Sequence, residues 1–146
     1  MVDVQIVLGS ESDLGHAKKC KEQLEQFGIG AEIAVASAHR NPEKLDALVK
    51  GSSAKVFIAM AGLSAALPGT VAAKTIKPVI GVPLNVKLEG LDALLSSMQM
   101  PTGVPVATVA IDGAKNAGIL AAEIIALSDQ RVAKKLADYK AGLAKK

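Results

Sequence analysis

The chain has 146 residues, and its hydrophobic fraction of 50% is enough for one compact domain with a buried core rather than a disordered chain. The net charge is +3, and much of the excess positive charge lies at helical spacing in RVAKKLADYKAGLAKK, as expected for a solvated helix. Two Phe, one Tyr and no Trp leave few rings for base stacking, so we expect no nucleic-acid partner. The chain has no long apolar span and a single cysteine, Cys20, which predicts a cytoplasmic protein with no membrane partner.

Short β-branched apolar runs alternate with helical patterns along the chain, as is typical of a parallel sheet covered by helices on both faces. The five predicted strands are VQIVL (4–8), AEIAVA (31–36), KVFIAM (55–60), PVIGVP (78–83) and VPVATVA (104–110). The predicted helices are LGHAKKCKEQLEQF (14–27), EKLDALVK (43–50), AALPGTVAAKT (65–75), GLDALLSSM (90–98), NAGILAAEIIALSD (116–129) and the charged tail (131–146). We therefore expect one α/β domain over residues 1–146.

The fifth predicted helix is apolar on nearly every face along AGILAAEIIAL (117–127). Such a helix is expected to be buried all round. The burial comes either from the domain itself or from another subunit. We expect self-association rather than one large core, which predicts a homo-oligomer.

Ligands of an open parallel α/β sheet bind beyond the carboxyl ends of its strands, so the loops there are the candidate site. The first of these loops is GSESDLG (9–15). Gly9 allows a tight turn, Ser10 and Ser12 offer hydroxyls, and we expect Asp13 to cap the following helix. Free N–H groups at that helix start are suited to bind an anion, although a capped helix without a ligand explains the pattern equally well.

The second loop, SAHR (37–40), places His39 between a predicted strand and the helix start at Asn41-Pro42. Because histidine titrates near neutral pH, His39 is either a proton carrier or a structural residue. The third loop, AGLSAALPG (61–69), has small residues that leave room for a ligand, and a Pro/Gly loop, QMPTGVP (99–105), is able to close over one. His16, on the first helix, is expected to be a surface residue.

The ordered set of motifs GSxSD, SAHR, AG…LPG, PVIGVP, GLDALLS, QMP and NAGILAA resembles one family over almost the whole chain. It is the 5-aminoimidazole ribonucleotide (AIR) carboxylase and N5-carboxyaminoimidazole ribonucleotide (N5-CAIR) mutase family of purine biosynthesis. The resemblance implies a flavodoxin-like three-layer sandwich with a C-terminal helix, assembled as a homo-octamer with active sites at subunit contacts. It also implies a ribonucleotide substrate, no metal or organic cofactor, and 4-carboxy-5-aminoimidazole ribonucleotide (CAIR) as product.

Site roles follow from this resemblance. His39 is expected to move the proton at the ring carbon that accepts the carboxyl group. Arg40 and the serine hydroxyls are suited to the ribose-phosphate, and the Asp13 carboxylate to a ribose hydroxyl. The full set of expected substrate contacts is Gly9, Ser10, Ser12, Asp13, Ser37, Ala38, Arg40, Ala61, Gly62, Ser64, Ala66 and Leu67.

The third loop departs from the mutase pattern, which resembles GGAAHLPG and has a histidine where Ala66 stands. The CO2-using branch lacks that histidine and has a serine at the position of Ser64; it also resembles this chain in SDLGH (12–16). The motifs SAHR, QMP and PVIGVP resemble the mutase branch instead. The missing histidine favours direct carboxylation of AIR with CO2, because small side chains leave space for the gas, and N5-CAIR mutase is the alternative. A member that binds the nucleotide without turnover, a receiver and a flavin carrier are further alternatives.

Overall fold

A computed structural model describes residues 2–146 of the chain. Five strands form a parallel sheet: β1 Val4–Leu8, β2 Ala31–Val35, β3 Val56–Ala61, β4 Val79–Pro83 and β5 Ala107–Thr108. Their order across the sheet is β2-β1-β3-β4-β5, which is the doubly wound order of flavodoxin-like folds. The predicted fold class is therefore confirmed.

Six helices cover the two faces of this sheet: α1 Leu14–Gln26, α2 Pro42–Gly51, α3 Leu67–Ala72, α4 Leu91–Met98, α5 Ala114–Ala126 and α6 Gln130–Leu143. Alternate residues of the central strands enter two separate cores. Ile6 and Ile58 pack with α1, α5 and α6, whereas Val7 and Phe57 pack with α2, α3 and α4. The strands are apolar on both faces because both faces are covered.

The last strand is much shorter than the predicted VPVATVA segment. Only Ala107 and Thr108 pair, with Ile80 and Gly81 of β4. Pro105 has no N–H to donate to a ladder, so the segment before Ala107 is poorly suited to strand pairing.

The apolar helix α5 is covered within the chain itself. Its small residues pack against α1, β3 and β4, and α6 folds back over it. Close approach to α1 depends on Gly118, where an added Cβ would lie 3.2 Å from the carbonyl oxygen of Cys20. Self-association is therefore not needed to bury α5, which removes the reason for which we predicted it. Among residues 2–146, no helix is both long and apolar enough to span a bilayer.

Candidate active site

A cleft of about 470 Å³ opens at the carboxyl edge of the sheet, where the loops after β1, β2, β3 and β4 meet. The strand order explains the meeting, because β1 lies between β2 and β3 and so brings three of these loops side by side. All the expected site residues except Ala66 line this cleft. The lining residues are Gly9, Ser10, Ser12, Asp13, Ser37, Ala38, His39, Arg40, Ala61, Gly62, Leu63, Ser64, Leu67 and Val86.

The loop after β1 is capped by a serine rather than by the predicted aspartate. The Ser10 hydroxyl accepts from the Ser12 backbone N–H at 3.3 Å and lies 2.9 Å from the Ser12 hydroxyl. Asp13 makes no capping hydrogen bond, because a short 3-10 turn precedes α1 and its cap is one turn earlier. Our prediction that Asp13 caps the helix was wrong, and its carboxylate is left available to the cleft.

Asp13 is only 8% exposed. Burial raises the pKa of its carboxyl group, and the nearby His16 partly offsets that effect. A buried carboxylate that no capping bond uses is a strong hydrogen-bond acceptor for a ligand hydroxyl.

The loop after β2 is held by three hydrogen bonds at its ends. The Ser37 hydroxyl accepts from the Arg40 backbone N–H at 3.1 Å, and the Asn41 side chain accepts from the Lys44 N–H at 3.1 Å to cap α2. The Asn41 N–H also donates to the Ser37 carbonyl at 3.0 Å. His39 is exposed at the apex of this turn, and its imidazole makes no hydrogen bond to the part of the chain that the structure describes. Both ring nitrogens are therefore free to contact a substrate.

Arg40 joins two loops of the site. Its Nη2 donates to the Gly9 carbonyl at 2.9 Å and its Nε to the Ser37 hydroxyl at 3.4 Å. A guanidinium has five N–H groups, so others remain for an anion. The cation is thus fixed in place beside the serine hydroxyls of the loop after β1.

The loop after β3 brings small residues to the cleft, but not in the way we expected for Ala66. Ser64 lines the cleft in a left-handed conformation, with φ of 48°. Ala66 is half-buried at the N-cap of α3, where its carbonyl accepts from the Thr70 N–H and hydroxyl at 3.0 and 2.8 Å. Ala66 is therefore not among the residues that line this cleft, and its predicted contact with the substrate stays a prediction.

Two lining residues were missed by the sequence analysis, Leu63 and Val86. Val86 lies in the loop after β4, and the carboxyl-edge rule that selected the other three loops applies to this one as well. The loop 99–105, by contrast, leads into β5 and belongs to the amino edge of the sheet. It does not line the cleft; its Met100 packs on Gly69, where an added Cβ would lie 2.9 Å from the Met100 Cε.

The second histidine lies outside the cleft and is less exposed than expected. The His16 side chain is 34% exposed, and its Nε2 lies 3.9 Å from Asp112 Oδ1. Asp112 in turn accepts from the Asn85 N–H at 3.0 Å. The predicted surface residue is therefore half-buried between α1 and the turn before α5.

Comparison with known proteins gives a consistent picture. The family model described as AIR carboxylase matches residues 3–146. An N5-carboxyaminoimidazole ribonucleotide mutase of Methanocaldococcus jannaschii is 59% identical over 97% of this chain and 90% of its own length. A probable N5-carboxyaminoimidazole ribonucleotide mutase of Methanobrevibacter smithii is 51% identical, and the chain spans 43% of that longer protein. The crystal structure of a serine-to-aspartate variant of Treponema denticola PurE2 superposes with a TM-score of 0.89 at 35% identity, over 97% of this chain and 91% of that one.

The names of these relatives bear on the two activities that the sequence left open. The M. jannaschii and M. smithii proteins both carry the mutase name. The comparisons therefore favour the mutase alternative over the direct carboxylation toward which Ala66 pointed.

Proposed function

Because the chain belongs to the AIR carboxylase family, as its ordered motifs predicted, we propose that it is an isomerase of purine biosynthesis that converts N5-CAIR into CAIR. One structural observation gives the main support for this function. A single cleft holds an imidazole without a protein partner, His39, next to a fixed guanidinium, Arg40, and a buried carboxylate, Asp13. These are the groups needed to move a proton and to hold a phosphorylated ribose.

The proposed reaction moves a carboxyl group from the exocyclic nitrogen to the ring carbon. The C–N bond of the carbamate breaks as a proton reaches the nitrogen, and CO2 is released within the site. The ring carbon then attacks CO2, a C–C bond forms, and the ring carbon loses its proton. One proton is taken up and one is released, so a single group that first gives and then accepts a proton is sufficient. We assign both transfers to His39, because it is the histidine in the cleft and an imidazole is able both to donate and to accept a proton.

The remaining polar groups are assigned to substrate binding. Arg40 and the hydroxyls of Ser10 and Ser12 lie together and suit a phosphate, since charge-assisted hydrogen bonds are the strong ones. The buried Asp13 carboxylate suits a ribose hydroxyl. Val86 and Leu63 supply an apolar wall. These assignments need no metal or organic cofactor, which stays a prediction.

We also propose that the chain forms a homo-oligomer, as large as the octamer that the resemblance implies. The support is an exposed apolar face of α4 and the turn before it, formed by Leu88, Leu91, Leu95 and Met98, which are 45–75% exposed. Contiguous exposed apolar side chains of this kind mark contact surfaces. Light scattering should therefore report a mass several times 14.9 kDa, and a monodisperse monomer would contradict the proposal.

We also propose a cytoplasmic location, which is supported by the use of a single, buried cysteine, Cys20.

The test is to supply the purified chain with N5-CAIR and, in a separate reaction, with AIR and bicarbonate, and to follow CAIR formation. We expect efficient conversion of N5-CAIR and little reaction from AIR at low bicarbonate. The opposite preference would establish direct carboxylation, for which Ser64 and SDLGH are the supporting features. Binding of the nucleotide with no turnover of either substrate would instead establish a non-catalytic nucleotide-binding protein.

A further inference from the structure

The loop after β4, residues 84–90, has a backbone that needs external support. Leu88, Glu89 and Gly90 have φ of 49°, 57° and 83°, three left-handed residues in succession. The left-handed region disfavours residues with a side chain, and Leu more than most. A conformation of this kind persists only where surrounding contacts determine it.

Those contacts come from the turn before α5. The Asn85 N–H donates to Asp112 Oδ1 at 3.0 Å, near the start of the loop. At its end, a Cβ on Gly90 would lie 2.6 Å from Ile111 Cγ2, so the Ile111 side chain packs directly on the Gly90 backbone. Asp112 is itself anchored, because its N–H donates to the Pro83 carbonyl at 2.8 Å. Two adjacent residues of the turn therefore brace both ends of the loop.

The same loop forms part of the cleft. Val86 follows Asn85 directly, and it packs so closely on the loop after β3 that a Cβ on Gly62 would lie 2.2 Å from Val86 Cγ2. Gly62 and Val86 both line the cleft. The position of this wall thus depends on where the Asn85 backbone is held.

We propose that Asp112 is a positioning residue of the active site: through its hydrogen bond to the Asn85 N–H, it holds Val86 in place as a wall of the substrate cleft. The inference rests on the proposed function, since it concerns the same cleft. Asp112 does not line the cleft and acts only through the loop.

The hydrogen bond, not the charge of Asp112, is the operative contact. His16 Nε2 lies 3.9 Å away, too far for a hydrogen bond, and the two side chains are 34% and 43% exposed. Exposed ion pairs at such separations contribute little. An uncharged side chain with an oxygen in the same place should therefore serve as well.

The chain allows a matched pair of substitutions here, Asp112→Asn and Asp112→Gly. Both replacements tolerate the φ of 59° at this position, so backbone strain does not separate them. Asparagine keeps the acceptor oxygen and glycine removes it. We expect Asp112→Gly to raise the KM for N5-CAIR by about fivefold, within the range of one lost hydrogen bond, with kcat within about twofold of wild type. Asp112→Asn should stay within about twofold of wild type in both constants.

Amide hydrogen exchange supplies a readout that needs no substrate. Exchange of the Asn85 N–H should be faster in Asp112→Gly than in wild type and Asp112→Asn, because its acceptor is gone. Equal exchange of the Asn85 N–H in the two variants would overturn the proposal. A KM that is raised equally in Asp112→Asn and Asp112→Gly would also overturn it, since the charge would then be responsible. If wild type fails to convert N5-CAIR, the proposed function fails, and the exchange comparison still decides whether Asp112 holds the loop.

Discussion

Replacing Gly62 by alanine should push one wall of the cleft outward. An alanine Cβ would lie 2.2 Å from Val86 Cγ2 and 2.9 Å from Val86 Cβ. Rotating the valine side chain moves Cγ2 away but leaves Cβ where it is. The clash is therefore relieved only if the backbone near Val86 moves.

Two hydrogen bonds of the same segment resist that backbone movement. Leu84 N–H donates to the Ala61 carbonyl at 3.0 Å, and Asn85 N–H donates to Asp112. Overpacking of this kind typically costs 1–3 kcal/mol, and because the loop is exposed we expect about 1–2 kcal/mol. For a chain of this size the corresponding fall in Tm is about 3–6 °C.

The assay is thermal unfolding together with steady-state kinetics on N5-CAIR. Gly142→Ala is the matched control, since an added Cβ there meets nothing within 4 Å and alanine favours the helix α6. Gly62→Ala should lower Tm and raise KM. Adding Val86→Ala should move both values part of the way back toward wild type. A Tm equal to that of wild type, with no change in KM, would refute the argument that Gly62 and Val86 together shape the cleft.

Three further predictions concern the polar groups of the cleft. His39→Asn should lower kcat by about 100-fold or more, the scale of general acid–base catalysis, with nucleotide affinity largely retained in calorimetry; activity within about tenfold of wild type would remove His39 from the proton-transfer role. Arg40→Ala should weaken binding of the ribonucleotide more than that of its dephosphorylated nucleoside, and the exposed Arg131→Ala is the control; equal weakening of both ligands would place Arg40 outside the phosphate site. Asp13→Asn should raise Tm at pH 7, because burial raises the pKa of the Asp13 carboxyl group and its ionisation therefore destabilises the native state. The gain in Tm should vanish as the pH falls below 3.8, the ordinary pKa of an aspartate, where the carboxyl group is protonated in both states. A gain in Tm that does not depend on pH would contradict this cause.

The fold was predictable because the central strands are unambiguous in the sequence. The residues of β1 and β3, VQIVL and VFIAMA, are short and fully buried runs. Because both faces are buried, they show no alternation of apolar and polar residues, but their flanking loops bound them clearly. We predicted too long an edge strand because VPVATVA is as rich in β-branched residues as a strand. Strand pairing depends instead on the neighbouring β4, which pairs with only two residues of this segment, and on the missing N–H of Pro105.

The cleft was predictable where a loop carries chemistry in its side chains. His39, Arg40 and Asp13 were found because their residue types stand at the ends of strands. Val86 was not found, because nothing in its side chain distinguishes a lining valine from any exposed one. Its role depends on the close approach to Gly62, which is a tertiary contact between segments more than 20 residues apart.

The position of Ala66 could not be read from the motif. A residue in the third loop lines the cleft only if the local turn directs it there. The left-handed Ser64 and the start of α3 place Ser64 and Leu67 along the cleft and leave Ala66 out of it.

The most direct test of the central claim follows the carboxyl group itself. N5-CAIR labelled in its carbamate carbon is given to the purified enzyme in the presence of unlabelled bicarbonate, and the label in CAIR is measured by mass spectrometry. The proposed mutase reaction predicts that most of the label is retained in CAIR, because CO2 stays in the cleft between its release and its addition to the ring carbon. Loss of the label to the bicarbonate pool, with AIR and CO2 the faster pair of substrates, would contradict it.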